Sequence, residues 1–128
     1  IDLAKKYKLQ KKIKIIKWKK NLDTMYKNTD FFVLPSLYEG MPNVLIDAIN
    51  YEVPSICSDA SGVDDILLKG KGGIIIKNIN HRNLGKALVN AVNNYSQILR
   101  RTKIAKKKLD IFLIRNASNK YLEFFNSL

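Results

Sequence analysis

Apolar residues along this chain recur in two rhythms. Short runs of four or five, bounded by proline or glycine, alternate with stripes at helical spacing. Residues 1–8 read as the end of a helix, and Ile13-Lys14-Ile15-Ile16-Lys17-Trp18 alternates and branches like a strand. Residues 22–27 suit a short helix. Phe31-Phe32-Val33-Leu34 is then a continuous apolar run of the kind buried on both faces of a parallel sheet, and Pro35-Ser36 ends it. A helix over 43–51 carries Val44, Leu45, Ala48 and Ile49 on its apolar stripe. Residues 53–57 form the next strand. A short helix over 63–68 follows Gly62, and a last strand over 73–76 follows the Gly70-Lys71-Gly72 turn. Beyond Asn80 the pattern is helical throughout. Leu84, Leu88, Ala91 and Val92 share one stripe, and two more helices run over 96–109 and 114–125.

Strands that alternate with helices predict an α/β fold: a three-layer, Rossmann-like parallel sheet followed by additional C-terminal helices. In such sheets a ligand sits beyond the carboxyl ends of the strands. That rule puts residues 35–43, residues 59–62 and the loop after Ile76 on one rim.

The most informative segment on that rim runs from Phe31 to Ala48. It is a strand, a loop holding Glu39 and Gly40, and a helix that opens after Pro42. The first N–H groups of a helix lack partners within it, and with the helix dipole they favour an anion such as a phosphate. Pro42 removes an N–H that would have no partner, and Gly40 lets a ligand approach the backbone closely. Glu39 repels a phosphate, so its fitting partners are hydroxyls. Sugar hydroxyls beside a diphosphate satisfy both groups.

Composition narrows the alternatives. A chain of 128 residues with 46% apolar content makes one core and one domain. It contains no apolar run long enough to span a membrane, and its first residues lack a signal peptide's apolar centre, so a soluble, cytoplasmic protein is expected. Cys57 is the one cysteine, which excludes an internal disulfide and a multi-thiolate metal site and suits a small buried residue. His81 follows a polar turn without a metal-binding cluster, and neither Ser36 nor Ser61 has a histidine at useful reach for a hydrolytic triad. No metal is expected. Trp18 and Tyr38 read as packing residues, and Tyr38, being on the ligand rim, also reads as a ligand contact.

The formal charge of +12 attracts phosphate-bearing partners. Nine lysines lie within residues 5–20, and a second basic cluster lies over 100–108. Each reads either as a solvated face or as a binding patch, and neither interleaves aromatics as a single-strand nucleic-acid groove does. Charge by itself would support a basic module for nucleic acid or an anionic membrane. That reading leaves the Glu39 to Asp47 segment without a purpose.

The segment closely resembles the signature of the family 4 GT-B glycosyltransferases, in which a glutamate, seven residues and a second acidic residue span the donor site; here the pair is Glu39 and Asp47. The Asp59-Ala60-Ser61-Gly62-Val63-Asp64-Asp65 stretch, the Gly72-Gly73 pair before the last strand and the terminal helices follow in family order. The resemblance implies that residues 1–128 are part of the C-terminal, nucleotide-sugar-binding half of a GT-B fold, with the acceptor domain upstream. It implies transfer of a sugar from a nucleotide diphosphate sugar to an acceptor hydroxyl with retention of configuration, in polysaccharide or lipid-linked glycan assembly. Glu39 would hold the donor sugar's hydroxyls, and Gly40, Met41 and Pro42 would line the sugar. Asn43, Val44 and Leu45 would offer N–H groups to the diphosphate, and Asp47 would grip the ribose. Asp47 stands where the family commonly has glutamate, and Lys17 where it commonly has glycine. The donor is a substrate, so no cofactor is implied. Partners would be the nucleotide sugar and a glycan or lipid-linked acceptor, with peripheral contact to an anionic membrane and no nucleic acid. The chain by itself is expected to be inactive.

Overall fold

A computed structural model describes residues 2–112 and 114–127. In chain order the elements are α1 (Asp2–Lys6), a 3-10 turn (Gln10–Lys12), α2 (Asp23–Lys27), β1 (Phe32–Leu34), α3 (Asn43–Asn50), β2 (Ser55–Ser58), α4 (Val63–Ile66) and β3 (Ile74–Ile76). Then come α5 (His81–Asn93), α6 (Tyr95–Lys106), a second 3-10 turn (Leu109–Phe112) and α7 (Ile114–Asn126). The strands form one parallel sheet in the order β1-β2-β3. Val33 is opposite Ile56 in the first pair, and Cys57 is opposite Ile75 in the second.

Period-two alternation sorts the strand side chains into two cores, one on each face. Phe32, Leu34, Cys57 and Ile75 meet Leu45 and Ile49 of α3, Val63 and Ile66 of α4, and Ala105 of α6. On the opposite face Val33, Ile56, Ile74 and Ile76 meet Leu84 and Ala91 of α5 and Ile98 of α6. These layers are the expected three. Fully burying residues such as Leu45, Ile49 and Ile56 contributes roughly 1.5–3 kcal/mol each.

Two glycines let α6 and β2 come close. A Cβ on Gly72 would lie 2.5 Å from the Ala105 Cβ, and one on Gly73 would lie 2.8 Å from the Ser55 carbonyl oxygen. Arg101 then ties down the same turn: its Nη2 donates to the Gly70 carbonyl and, at 2.6 Å, to the Gly73 carbonyl. Asn80 caps α5, its side-chain oxygen accepting the Arg82 and Asn83 N–H groups at 3.0 and 2.9 Å.

The structure departs from the sequence pattern in several places. Residues 13–18 form no strand. Ile13, Ile15, Ile16 and Trp18 are exposed, because alternation makes a strand only where a neighbouring ladder receives its N–H and C=O groups, and among the described residues none does. Phe31 to Leu34 is half-buried rather than buried on both faces, since β1 lies at the edge of the described sheet. β2 begins at Ser55, and Val53 packs instead against Tyr26 and Ala48, docking α2 on α3.

On the helices, Val44 is exposed in the first turn of α3, beyond the strand ends. α5 meets the sheet through Leu84, Ala87 and Ala91, which leaves Leu88 and Val92 further round the helix and in solvent. Trp18 and Tyr38 are 85% and 92% exposed, so neither is a packing residue among the described residues. The helix expected over 1–8 is α1, with Ile1 outside the described residues. α7 carries Tyr121, Leu122, Phe124 and Phe125 exposed, the two phenylalanine rings meeting edge to face.

Cys57 is fully buried in the first core, and burial pushes its thiol up to about 12. The thiolate is the reactive form, so Cys57 stays protonated and shielded at neutral pH. A disulfide-exchange reagent such as DTNB should label no cysteine in the folded protein and one per chain in denaturant. Rapid labelling before unfolding would contradict this packing.

Candidate functional site

The strand ends are tied together where the rim begins. The Ser58 hydroxyl donates to the Leu34 carbonyl at 3.3 Å and to the Ser36 carbonyl, and the Asp59 N–H donates to the Ile76 carbonyl at 3.1 Å. The loop after β1 is therefore held to β2 at its start. Its far end rests on Gly62. That residue has a φ of 75°, and a Cβ there would lie 2.4 Å from the Gly40 carbonyl oxygen and 3.3 Å from both Met41 Cα and Pro42 Cδ. Only a glycine meets both conditions.

Above this contact Glu39 is half-buried and Gly40 is exposed, and a Cβ on Gly40 would meet nothing within 4 Å. Met41 is 46% exposed, while Pro42 is buried and forms the N-cap of α3. The helix begins without a side-chain cap. Among the described residues no backbone acceptor takes the Asn43 or Val44 N–H. Leu45 differs from its expected part: its N–H donates to the Pro42 carbonyl at 2.9 Å, and its side chain is fully buried. The Tyr26 hydroxyl donates to the Val44 carbonyl at 3.1 Å, fixing the first turn from the outside.

Asp47 lies one turn further along α3, exposed, on a cavity of about 310 Å³. Lys19, Lys20, Asn21, Asp23, Tyr26 and Asn50 also line it. Burial, and then the Asp47 charge, push the Tyr26 phenol above its usual range. Glu39 and Gly40–Val44 thus share the rim, and Asp47 faces a neighbouring hollow bounded by the Lys19–Asn21 segment. Those three residues were not singled out for the site by sequence, because their contact with α3 depends on the path of an irregular segment. Gly62 had a visible signal, a glycine directly before a short helix. His81 is exposed, and among the described residues no group of three or more His, Cys, Asp or Glu side chains gathers to hold a metal. No helix among them is long and apolar enough to cross a membrane.

A match to the family described as Glycosyl transferases group 1 extends over residues 1–108 and includes every residue of this rim. The chain belongs to that family. Over 118 residues it is 26% identical to the Escherichia coli UDP-Gal:alpha-D-GlcNAc-diphosphoundecaprenol alpha-1,3-galactosyltransferase, covering 92% of this chain and 27% of that one. It is 31% identical over 75 residues to the amylovoran biosynthesis glycosyltransferase AmsD of Erwinia amylovora, covering 59% of this chain and 21% of the relative. The chain thus spans about a quarter of the length of these relatives.

Among solved structures it is similar to Anabaena HepE in complex with UDP and glucose, with a TM-score of 0.86 at 14% identity over 99% of this chain and 35% of that one. Thermosynechococcus elongatus sucrose-phosphate synthase gives 0.82 at 18% identity, over 99% and 34%. The group 1 fold is therefore the C-terminal, Rossmann-like half of the GT-B architecture.

The Gly62 contact yields a paired expectation. Gly62→Ala should destabilise the protein by roughly 1–3 kcal/mol, the usual cost of strained backbone. Gly40→Ala, with open space around it, should stay within about 0.5 kcal/mol of the parent. Urea denaturation of both variants tests the pair, and equal stabilities would remove Gly62 as the support of this loop.

Proposed function

We propose that the chain supplies the donor half of a glycosyltransferase that moves a sugar from a nucleotide diphosphate sugar to an acceptor hydroxyl with retention of configuration. One observation carries this reading. A half-buried carboxylate, an open glycine and two helix N-terminal amides without a partner among the described residues stand in sequence on a strand-end rim, with a second carboxylate beside them. In this reading Glu39 accepts hydrogen bonds from the donor sugar's hydroxyls, and Gly40, Met41 and Pro42 border its ring. The Asn43 and Val44 N–H groups meet the diphosphate, while Leu45 serves by anchoring the turn. Asp47 takes the ribose hydroxyls, and the hollow beside it receives the nucleoside.

The chemistry asks no protein nucleophile of this chain. The diphosphate leaves with its charge met by amides already oriented, and the acceptor hydroxyl attacks from the face it vacates, giving its proton to the departing diphosphate oxygen. Orientation and fixed dipoles carry the rate. The reading assigns no metal or cofactor. HepE was solved with UDP and glucose, and the E. coli relative's name gives a UDP-sugar donor and a lipid-linked acceptor. Those parallels support a nucleotide-sugar donor here and a role in polysaccharide or lipid-linked glycan assembly. They also support an acceptor half formed by a further domain, so that residues 1–128 bind donor without completing transfer.

Glu39→Gln should lower turnover of the intact enzyme about tenfold to a hundredfold, the worth of a hydrogen bond to a charged group, while shifting stability by less than about 0.5 kcal/mol. Matched transfer and melting assays decide it, and normal transfer would remove Glu39 from the site. For Asp47, alanine should weaken nucleotide binding by roughly 1–3 kcal/mol, and Asp47→Glu should preserve or tighten it. Calorimetry with the free nucleotide checks both, and equal affinity in all three proteins would clear Asp47 of this role.

A further inference from the structure

A second cavity, of about 290 Å³, lies at the carboxyl ends of all three strands. Ser36 after β1, Asp59 after β2, and Asn78 and Ile79 after β3 form its walls, with Leu37 on one side. None of Glu39, Gly40, Asn43, Val44 and Asp47 lines it. It is therefore separate from the residues assigned to the donor, though both open on the same rim.

The backbone of the polar wall is already committed. The Asp59 N–H is held by the Ile76 carbonyl, and the Asn78 carbonyl accepts from the Asn80 and Asn83 side-chain amides at 3.1 and 3.0 Å. The side chains are not. Both residues are exposed, and among the described residues neither the Asp59 carboxylate nor the Asn78 amide group has a hydrogen bond or ion pair. The walls of the cavity are thus held in place, and both polar side chains remain available to a ligand.

Chemistry selects among ligands. Asp59 also borders a neighbouring hollow that holds Lys69, Lys77 and Arg101, but no cation stands on this lining to draw a phosphate into it, and one carboxylate with one amide supplies too few hard oxygens for a divalent cation. A neutral polyol suits both: Asp59 accepts from hydroxyls, and the Asn78 amide can donate and accept. Leu37 and Ile79 give the apolar ledges that a sugar's C–H faces require. The volume suits a ligand of sugar-ring size.

We propose that this cavity is a subsite for a neutral sugar ring of the acceptor glycan, held by Asp59 and Asn78 on the side of the rim away from Asp47. Calling that sugar the acceptor's rests on the donor reading above; the binding itself does not. Saturation-transfer NMR on the full chain tests it, using methyl α-D-glucopyranoside, methyl α-D-galactopyranoside and methyl N-acetyl-α-D-glucosaminide as probes. At least one glycoside should take up saturation from the protein. Its affinity should fall about tenfold in Asp59→Asn, which keeps the side chain's shape and should melt as the parent does, and should hold in the parent when UDP-glucose is present in excess. No saturation of any probe, or equal binding by Asp59→Asn, would overturn the subsite. Displacement of the glycoside by UDP-glucose instead would also overturn it, by assigning the sugar to the donor's position. UDP titrated into the same samples reports separately on the donor reading, so UDP binding without glycoside binding defeats the subsite and leaves the donor assignment standing.

Discussion

The Gly40 carbonyl oxygen occupies the space in which a side chain at residue 62 would begin. That single close approach of two loops sets the height of the rim. It requires β1 and β2 to be parallel neighbours, so that both loops leave the same end of the sheet, and it requires a left-handed residue immediately before α4. The Ser58 hydroxyl holds the near end of the first loop, and the buried Pro42 seats the far end. Between those supports Glu39 and Gly40 make no hydrogen bond among the described residues. Their placement is inherited from the sheet beneath.

Much of this was legible in the chain because the decisive signals are local. Pro42 followed by an apolar stripe locates α3 to within a residue of its end, and Gly62 before Val63 marks the start of α4. The apolar run ending at Ile56-Cys57 predicts a strand, and the sheet buries it on both sides. The segment over 13–18 has the same local character and forms no strand, since a strand is a relation between two segments and periodicity describes only one. The exposure of Val44, Leu88 and Val92 has a similar origin. An apolar stripe wider than the surface it meets leaves its margin in water, and that width belongs to the partner.

The site divides along the same line. Glu39, Gly40 and the helix start could be named from residue type and order. The commitment of the Leu45 N–H could not, because it depends on how tightly the first turn of α3 winds on Pro42. The Tyr26 hydroxyl bond to Val44 and the approach of Lys19–Asn21 to Asp47 depend on how α2 is docked, 18 or more residues from their partners. Long-range contacts of this kind leave no mark on spacing.

Leu37, Tyr38 and Met41 stand out from the rim at 70%, 92% and 46% exposure, on a loop whose position is settled by backbone contacts rather than by these side chains. Scaffold and surface are therefore nearly independent variables at this edge. Exchanging any of the three alters what an incoming molecule touches while leaving the framework beneath as it was. Substitutions at such positions can therefore be tried one at a time, without first having to repair the core.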